Sequence, residues 1–241
     1  MELVIILILL IISVILGYFI FNIQITNMKK ARNNNELDEI ASRFPENKQI
    51  CKEILEKLNN TKVKIKEESE ENKKTSTSLY VAITDTIFIG NIKDSYTRIQ
   101  TICHECLHSI QPRRLLLFNF IFSNIYYFYF ILSIILTFVG VFKDIRLQII
   151  ILLILSFIYF IIRSYLENDA MIKARYLARE YMLDYIEKEN ICTREDVKKI
   201  VKEYDRINLF GIPAYNFTLF FNCVIKIIIY ILIFLIKNSF L

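Results

Sequence analysis

The two histidines of this 241-residue chain lie four positions apart, and a glutamate directly follows the first. They belong to the run Cys103-His104-Glu105-Cys106-Leu107-His108-Ser109. On an α-helix, positions i and i+4 share a face, so His104 and His108 can bind one metal ion. Glu105 is rotated by about 100° from His104, which places its carboxylate beside the ion. The spacing therefore predicts a zinc site in which Glu105 is the general base that takes a proton from water.

A catalytic zinc ion usually has three protein ligands. The chain has no third histidine, so the third ligand must be a carboxylate or a thiolate. We expect Glu167, because it begins a helical pattern just after an apolar stretch. Asp169, about 200° further round that helix, is the next candidate and could instead hold a ligand histidine. The alternative for both residues is an ordinary acidic group at a helix start.

Cys103 and Cys106 have the C-x-x-C spacing that is typical of a redox pair or of half a zinc ribbon. On one helix, however, they point about 100° and 200° away from His104, so we interpret them as packing residues. Redox or ligand roles remain the alternative. The five cysteines form no disulfide framework, and we expect them to be reduced.

Four long apolar stretches exclude an ordinary soluble domain, and 54% of the residues are hydrophobic. The stretches are Leu3–Ile25, Leu115–Phe142, Leu147–Ile162 and Phe217–Ile236. The last contains Lys226, which costs about 2.5–3.5 kcal/mol if it is central, so this span is either shifted or buries Lys226 in a bundle. The net charge of +5 arises from interleaved basic and acidic residues, which argues against a nucleic-acid-binding surface.

The two middle stretches form a hairpin, which returns the chain to the side of His104 before Glu167. The basic residues that flank the stretches put this side in the cytoplasm and both termini outside. The predicted organisation is an N-terminal transmembrane anchor (1–28), a cytoplasmic segment with the His-Glu-x-x-His helix (29–114), a transmembrane hairpin (115–166), a cytoplasmic helical segment with the third zinc ligand (167–214) and a C-terminal transmembrane span (215–241).

Local patterns predict the elements of the two polar segments. They indicate a helix over 45–60, an exposed strand over 61–66 and a flexible polar loop over 67–78. One or two strands should follow over 79–83 and 86–89, broken near Asp85, and the motif helix should begin at Ser95. A strand just before a metal-binding helix can pair with an extended peptide or can be an ordinary sheet strand. After a break near Asn190, Thr193 and Asp196 predict a capping box. The helix that follows should reach about Arg206, and Gly211-Ile212-Pro213 should interrupt the pattern.

With these features the chain resembles the membrane-bound neutral zinc metallopeptidases of the YugP-like group. The resemblance rests on two boxes, His104-Glu105-Cys106-Leu107-His108-Ser109-Ile110-Gln111 and Glu167-Asn168-Asp169-Ala170, together with the anchor and the hairpin. It implies a gluzincin-like site with Glu167 as the third ligand and Glu105 as the base. Leu107 stands where the family commonly has glycine, which implies a shifted neighbouring segment.

The sequence thus predicts a mainly α integral membrane protein with about four transmembrane helices and a small α+β, zincin-like catalytic segment. Its expected function is a zinc endopeptidase at the cytoplasmic surface of the cell membrane, with Tyr215 or an arginine as the oxyanion donor. Short linkers hold the zinc within roughly 10–20 Å of the bilayer, which favours membrane-associated protein or peptide substrates. The alternative is a non-catalytic membrane scaffold with a structural or vestigial metal site, although a structural site needs no base such as Glu105.

Overall fold

The computed structural model describes residues 2–67, 78–92, 95–142 and 144–240. These residues are mostly helical and contain one small sheet. In chain order the elements are α1 (Glu2–Ile20), α2 (Ile25–Arg32), α3 (Asn35–Ser42), α4 (Asn47–Lys57), β1 (Lys64–Glu67), β2 (Leu79–Val81), β3 (Thr86–Ile89), α5 (Arg98–Ile110), α6 (Arg113–Phe138), α7 (Arg146–Glu189) and α8 (Arg194–Phe240).

The chain divides into two compact units. We call the first the apolar unit, and it comprises Met1–Ile23, Phe118–Tyr165 and Pro213–Leu241. We call the second the site unit, and it comprises Gln24–Leu117 and Leu166–Ile212. Helices α7 and α8 contribute residues to both units.

The apolar unit is built from parts of the four helices that are long and apolar enough to cross a membrane, namely α1, α6, α7 and α8. These four helices are compatible with the predicted multi-pass membrane protein. Buried side chains such as Phe130, Leu152 and Ile231 form the core of the unit. Lys226 is half-buried, and its ammonium group lies against the rings of Tyr126 and Tyr159. Of its two predicted placements, packing against the bundle agrees with these contacts.

The site unit contains a three-stranded sheet in the order β1-β3-β2. Strand β1 runs parallel to β3, and β2 pairs with β3 antiparallel, with Tyr80 opposite Ile87. Ile87 and Ile89 are buried in a core that they share with α4 and α5. The structure confirms the predicted strand before the loop and has two separate strands within 79–89, although β1 begins at Lys64 and β2 ends at Val81. Residues 68–77 of the predicted loop lie outside the described residues.

Helices α2 and α3 were not predicted from the sequence. Helix α3 has a clear local signal, because Leu37, Ile40 and Ala41 recur at helical spacing and are buried. Its N-cap, Asn34, accepts a hydrogen bond from the Leu37 amide at 3.3 Å. An amphipathic helix of only eight residues is easily overlooked in a polar segment.

The long helices correct two predictions and confirm two others. Helix α7 runs without a break from Arg146 to Glu189, so Glu167 lies inside it and does not begin a helix as predicted. Helix α8 continues through Pro213, so the predicted interruption at Gly211-Ile212-Pro213 is wrong. Proline removes only its own bond to the Leu209 carbonyl, and an apolar environment favours pairing of the remaining backbone groups. The predicted break is present, because Asn190 has a φ of 49°. The predicted capping box is present too, since the Asp196 amide donates to Thr193 Oγ1 at 3.2 Å and the Thr193 amide donates to Asp196 Oδ2 at 3.0 Å.

Candidate metal centre

Three side chains from helices α5 and α7 converge on one point. His104 and His108 lie one turn apart on α5, and their Nε2 atoms are 3.0 Å from each other. Glu167 on α7 brings Oε2 to 3.4 Å from His104 Nε2 and to 3.6 Å from His108 Nε2. The side chains are only 11–19% exposed, so the group is shielded from water but can be reached.

The separations of these atoms match the requirements of a tetrahedral metal ion. An ion held at about 2.0–2.1 Å from each ligand keeps the ligand atoms about 3.3–3.4 Å apart. The observed values of 3.0, 3.4 and 3.6 Å lie around that edge length. His104, His108 and Glu167 can therefore hold a metal ion without a large movement of either helix. Two imidazoles and one carboxylate are donors suited to zinc and to other divalent transition metals.

Gln111 fixes the tautomer of His108. The Gln111 side-chain nitrogen donates to the Leu166 carbonyl at 2.8 Å, which leaves its Oε1 facing His108. This oxygen lies 2.8 Å from His108 Nδ1, so Nδ1 carries the proton and donates it. The Nε2 atom of His108 therefore has a free lone pair that points toward Glu167, as a metal ligand needs. Sequence reasoning gave Gln111 no role, although it follows His108 by three residues on the same helix end.

Asp169 contributes to the site through Gln111. Its Oδ2 accepts a bond from the Gln111 side-chain nitrogen at 3.3 Å, and its Oδ1 pairs with Lys173 at 2.6 Å. Burial raises the pKa of the Asp169 carboxyl, but the bonds from Lys173 and Gln111 outweigh it and hold the pKa below its usual range. The sequence predicted that Asp169 could hold a ligand histidine, and in the structure Gln111 stands between the two.

Glu105 lies beside the metal group and is almost fully buried, with 6% of its surface exposed. Its Oε2 accepts a hydrogen bond of 2.7 Å from the backbone amide of Tyr80 in β2, which orients the carboxylate. Burial raises the pKa of Glu105, and Glu167 adds to this effect, whereas the two histidines and the Tyr80 amide oppose it. The net pKa is above its usual range, as suits a group that takes up a proton.

Glu167 and Gln111 also affect the protonation of His108. Burial lowers the pKa of His108, but the hydrogen bond and the charge of Glu167, with the bond to Gln111, raise it above its usual value. A cation in this position is therefore favoured by the surrounding groups. A bound metal ion would supply that positive charge.

Arg98 anchors the beginning of α5. The side chain is 1% exposed, and its terminal nitrogens donate to the carbonyls of Ala41, Phe44 and Pro45 and to Asn47 Oδ1 at 2.7–3.0 Å. These acceptors lie at the end of α3 and the start of α4. Arg98 therefore fixes the motif helix to the preceding two helices.

A second polar connection links α5 to the helix of Glu167. Gln100, one turn before His104, donates to Asn208 Oδ1 on α8 at 3.0 Å. The Asn208 side-chain nitrogen donates to the Met171 carbonyl on α7, one turn after Glu167, at 3.1 Å. Asn208 thus bridges the two helices that carry the metal-binding side chains.

The other nominated residues are not part of the metal group. Cys103 and Cys106 are fully buried in the core, where Cys106 Sγ lies 3.6 Å from Cys51 Sγ, as their interpretation as packing residues predicts. Leu107 is buried in the same core. Tyr215 belongs to the apolar unit, where its hydroxyl accepts a hydrogen bond from Arg163 Nε at 3.0 Å. The predicted role of Tyr215 as an oxyanion donor stays a prediction.

No family model, curated protein or solved structure matches this chain. The resemblance to zinc metallopeptidases therefore stays a prediction from the two sequence boxes. The geometry of the metal group, by contrast, is a property of this chain itself.

Proposed function

We propose that this chain is a membrane-embedded, zinc-dependent endopeptidase of the gluzincin-like kind, related to the YugP-like group. The observation that carries the proposal is the near-tetrahedral spacing of His104, His108 and Glu167 with the oriented carboxylate of Glu105 beside them. A purely structural metal site needs no buried carboxylate next to its ligands. The alternative function, a non-catalytic scaffold, gives the Glu105 carboxylate no chemical role.

In the proposed reaction, His104, His108 and Glu167 hold the zinc ion. When bound, the ion supplies Lewis-acid polarisation of a water molecule and of the scissile carbonyl. Glu105 accepts a proton from the attacking water and then passes it to the nitrogen of the leaving amine, so the C–N bond breaks with no net change at Glu105. The Tyr80 amide holds Glu105 in place through both transfers.

Strand β2 is suited to bind an extended substrate. It lies at the edge of the sheet, and its Tyr80 amide faces Glu105 instead of β3. An extended peptide can pair with the free backbone groups of an edge strand, and this would bring its scissile bond close to the base. We therefore propose protein or peptide substrates that bind in extended form.

Substrates at the membrane surface fit the chain best. Helix α7 is continuous from Arg146 to Glu189, and Glu167 follows Arg146 by 21 residues, about 32 Å along the helix. This length is close to the roughly 30 Å thickness of a hydrocarbon core. The third ligand would then emerge near the bilayer surface, within reach of membrane-associated segments.

The proposed site faces the cytoplasm at the cell membrane. Single cysteines in place of the exposed residues Lys48, Lys188 and Asp144, in a Cys192→Ser background, test this orientation with a membrane-impermeant maleimide. We expect only the cysteine at 144 to react in intact cells, and the other two to react after lysis. Reaction of the cysteines at 48 and 188 from opposite sides of the membrane would rule out the hairpin.

The peptidase proposal is tested with Glu105→Gln, which keeps the shape of the side chain but removes the base. We expect cleavage of casein or of a fluorogenic peptide to fall about 10²–10⁴-fold while zinc binding is retained. The matched control is Glu56→Gln, which changes an exposed glutamate on α4 and should leave cleavage unchanged.

Two outcomes would contradict the proposal. Cleavage by Glu105→Gln at the rate of the unmodified chain would show that Glu105 is not the base. Zinc binding without any cleavage by the unmodified chain, across soluble and membrane-tethered substrates, would favour the scaffold with a structural metal.

A further inference from the structure

Lys226 lies at the centre of the last apolar stretch. Nine residues separate it from Phe217 and ten from Ile236, so it lies about 14–15 Å from either end of this part of α8. If α8 spans a bilayer, Lys226 is near the midplane. A lysine side chain is too short to extend its ammonium group from there to the head groups.

The neighbours of Lys226 are aromatic ring faces. Its Nζ lies 4.1 Å from the ring centroid of Tyr126 on α6 and 5.7 Å from that of Tyr159 on α7. The Tyr126 hydroxyl is occupied by Ser156 Oγ at 2.7 Å. Within the described part of the chain, the ammonium group has no carboxylate or carbonyl partner, although it can donate three hydrogen bonds. The side chain is half-buried, so a neighbouring helix can reach it.

The chain itself offers no opposite charge at this depth. The four apolar stretches contain no aspartate or glutamate, and Lys226 is their only charged residue. The nearest acidic residues in sequence to these stretches include Glu2 and Asp144, and both pair with Arg146. A second copy of this chain would therefore bring another lysine and no carboxylate.

We propose that Lys226, with the ring faces of Tyr126 and Tyr159, is an intramembrane docking point for a transmembrane helix of another protein that carries Asp or Glu near its midpoint. Charged groups inside a membrane are stable chiefly when they pair with an opposite charge. A carboxylate at the same depth supplies the missing charge and hydrogen-bond acceptors. This inference concerns a partner and does not depend on the proposed peptidase activity.

The test uses the full chain in phosphatidylcholine vesicles with synthetic leucine–alanine transmembrane helices as probes. The probes carry a central Glu, Gln or Leu, and binding is followed by energy transfer to a label on the protein. We expect the Glu helix to bind at least about tenfold more tightly than the Gln and Leu helices. Lys226→Met should abolish this preference, and Lys226→Arg should keep it.

The matched control is Lys237→Met, which removes a lysine that donates to the Thr137 carbonyl near the end of α8. It should keep the preference for the Glu helix. Equal binding of the Glu and Leu helices to the unmodified chain would overturn the proposal, as would an unchanged preference in Lys226→Met. Displacement of the Glu helix by sodium oleate at equal membrane concentration would also overturn it, and would reassign Lys226 to a fatty-acid carboxylate.

Discussion

The two units of this molecule use buried polar side chains in different ways. In the site unit, Arg98, Gln100 and Gln111 each connect α5 to another helix or to the segment before it. In the apolar unit, the buried hydroxyl groups of Tyr126 and Thr137 contact another hydroxyl group or a backbone carbonyl. Thr137, for example, donates to the Ser133 carbonyl and contacts the Tyr230 hydroxyl at 3.0 Å.

This difference reflects how exactly side chains must be positioned in each unit. A metal centre requires its ligands to be held within a fraction of an ångström, and directional bonds from several helices achieve this. A bundle of apolar helices requires only that its polar atoms are satisfied and its side chains are packed. Substitutions of polar residues in the site unit should therefore disturb the metal centre, whereas substitutions of polar residues in the apolar unit should leave it intact.

The largest effect on stability is expected for Arg98→Met. This change removes the Arg98 donors from the carbonyls of Ala41, Phe44 and Pro45 and from the Asn47 side chain, so the free energy of unfolding should fall by about 3–5 kcal/mol. Urea denaturation of the purified chain in detergent measures the loss. The control Arg43→Met removes an exposed ion pair with Glu39 and should change stability by less than about 1 kcal/mol. Equal effects of the two changes would mean that Arg98 does not anchor α5.

A smaller effect is expected for Gln111→Leu. Without Gln111 the His108 ring loses its orienting bond, and zinc affinity should fall about 10–100-fold while the fold is kept. Competition with a fluorescent chelator measures this affinity. Gln49→Leu, on the surface of α4, is the matched control and should bind zinc as before. An unchanged zinc affinity in Gln111→Leu would show that Gln111 does not orient His108 for metal binding.

The smallest effect is expected for Tyr230→Phe in the apolar unit. The change removes the hydroxyl contact with Thr137, and interhelical hydrogen bonds in membranes contribute only about 0.6 kcal/mol on average. Zinc affinity should not change. A fall in zinc affinity comparable to that of Gln111→Leu would contradict the contrast between the two units.

Sequence reasoning found the parts of the site that depend on residue type and spacing. His104 and His108 could be paired because the helical repeat determines which positions share a face. Glu167 could be nominated because a hairpin of two apolar stretches returns the chain to the same side. In the structure, Glu167 lies within 3.6 Å of both histidines.

The residues that sequence reasoning missed act over long separations. Gln111 is close to His108 in sequence, but its role depends on the Leu166 carbonyl, 55 residues later. The Tyr80 amide meets Glu105 only because β2 pairs with β3 beside α5. The continuity of α8 through Pro213 also depends on its surroundings, since the local signal of Gly211 and Pro213 predicts a break.

The zinc content of the purified chain tests the central claim most directly, because it asks whether His104, His108 and Glu167 bind a metal ion. Elemental analysis after dialysis should find about one zinc ion per chain in the unmodified protein, in Glu105→Gln and in the surface control Glu189→Ala. Glu167→Ala should bind zinc more than about 100-fold more weakly. This is a larger loss than the roughly 10–100-fold that is expected when a group that only orients a ligand is removed. Asp169→Ala should therefore lose less affinity than Glu167→Ala. Stoichiometric zinc in Glu167→Ala, or none in the unmodified protein, would contradict the account.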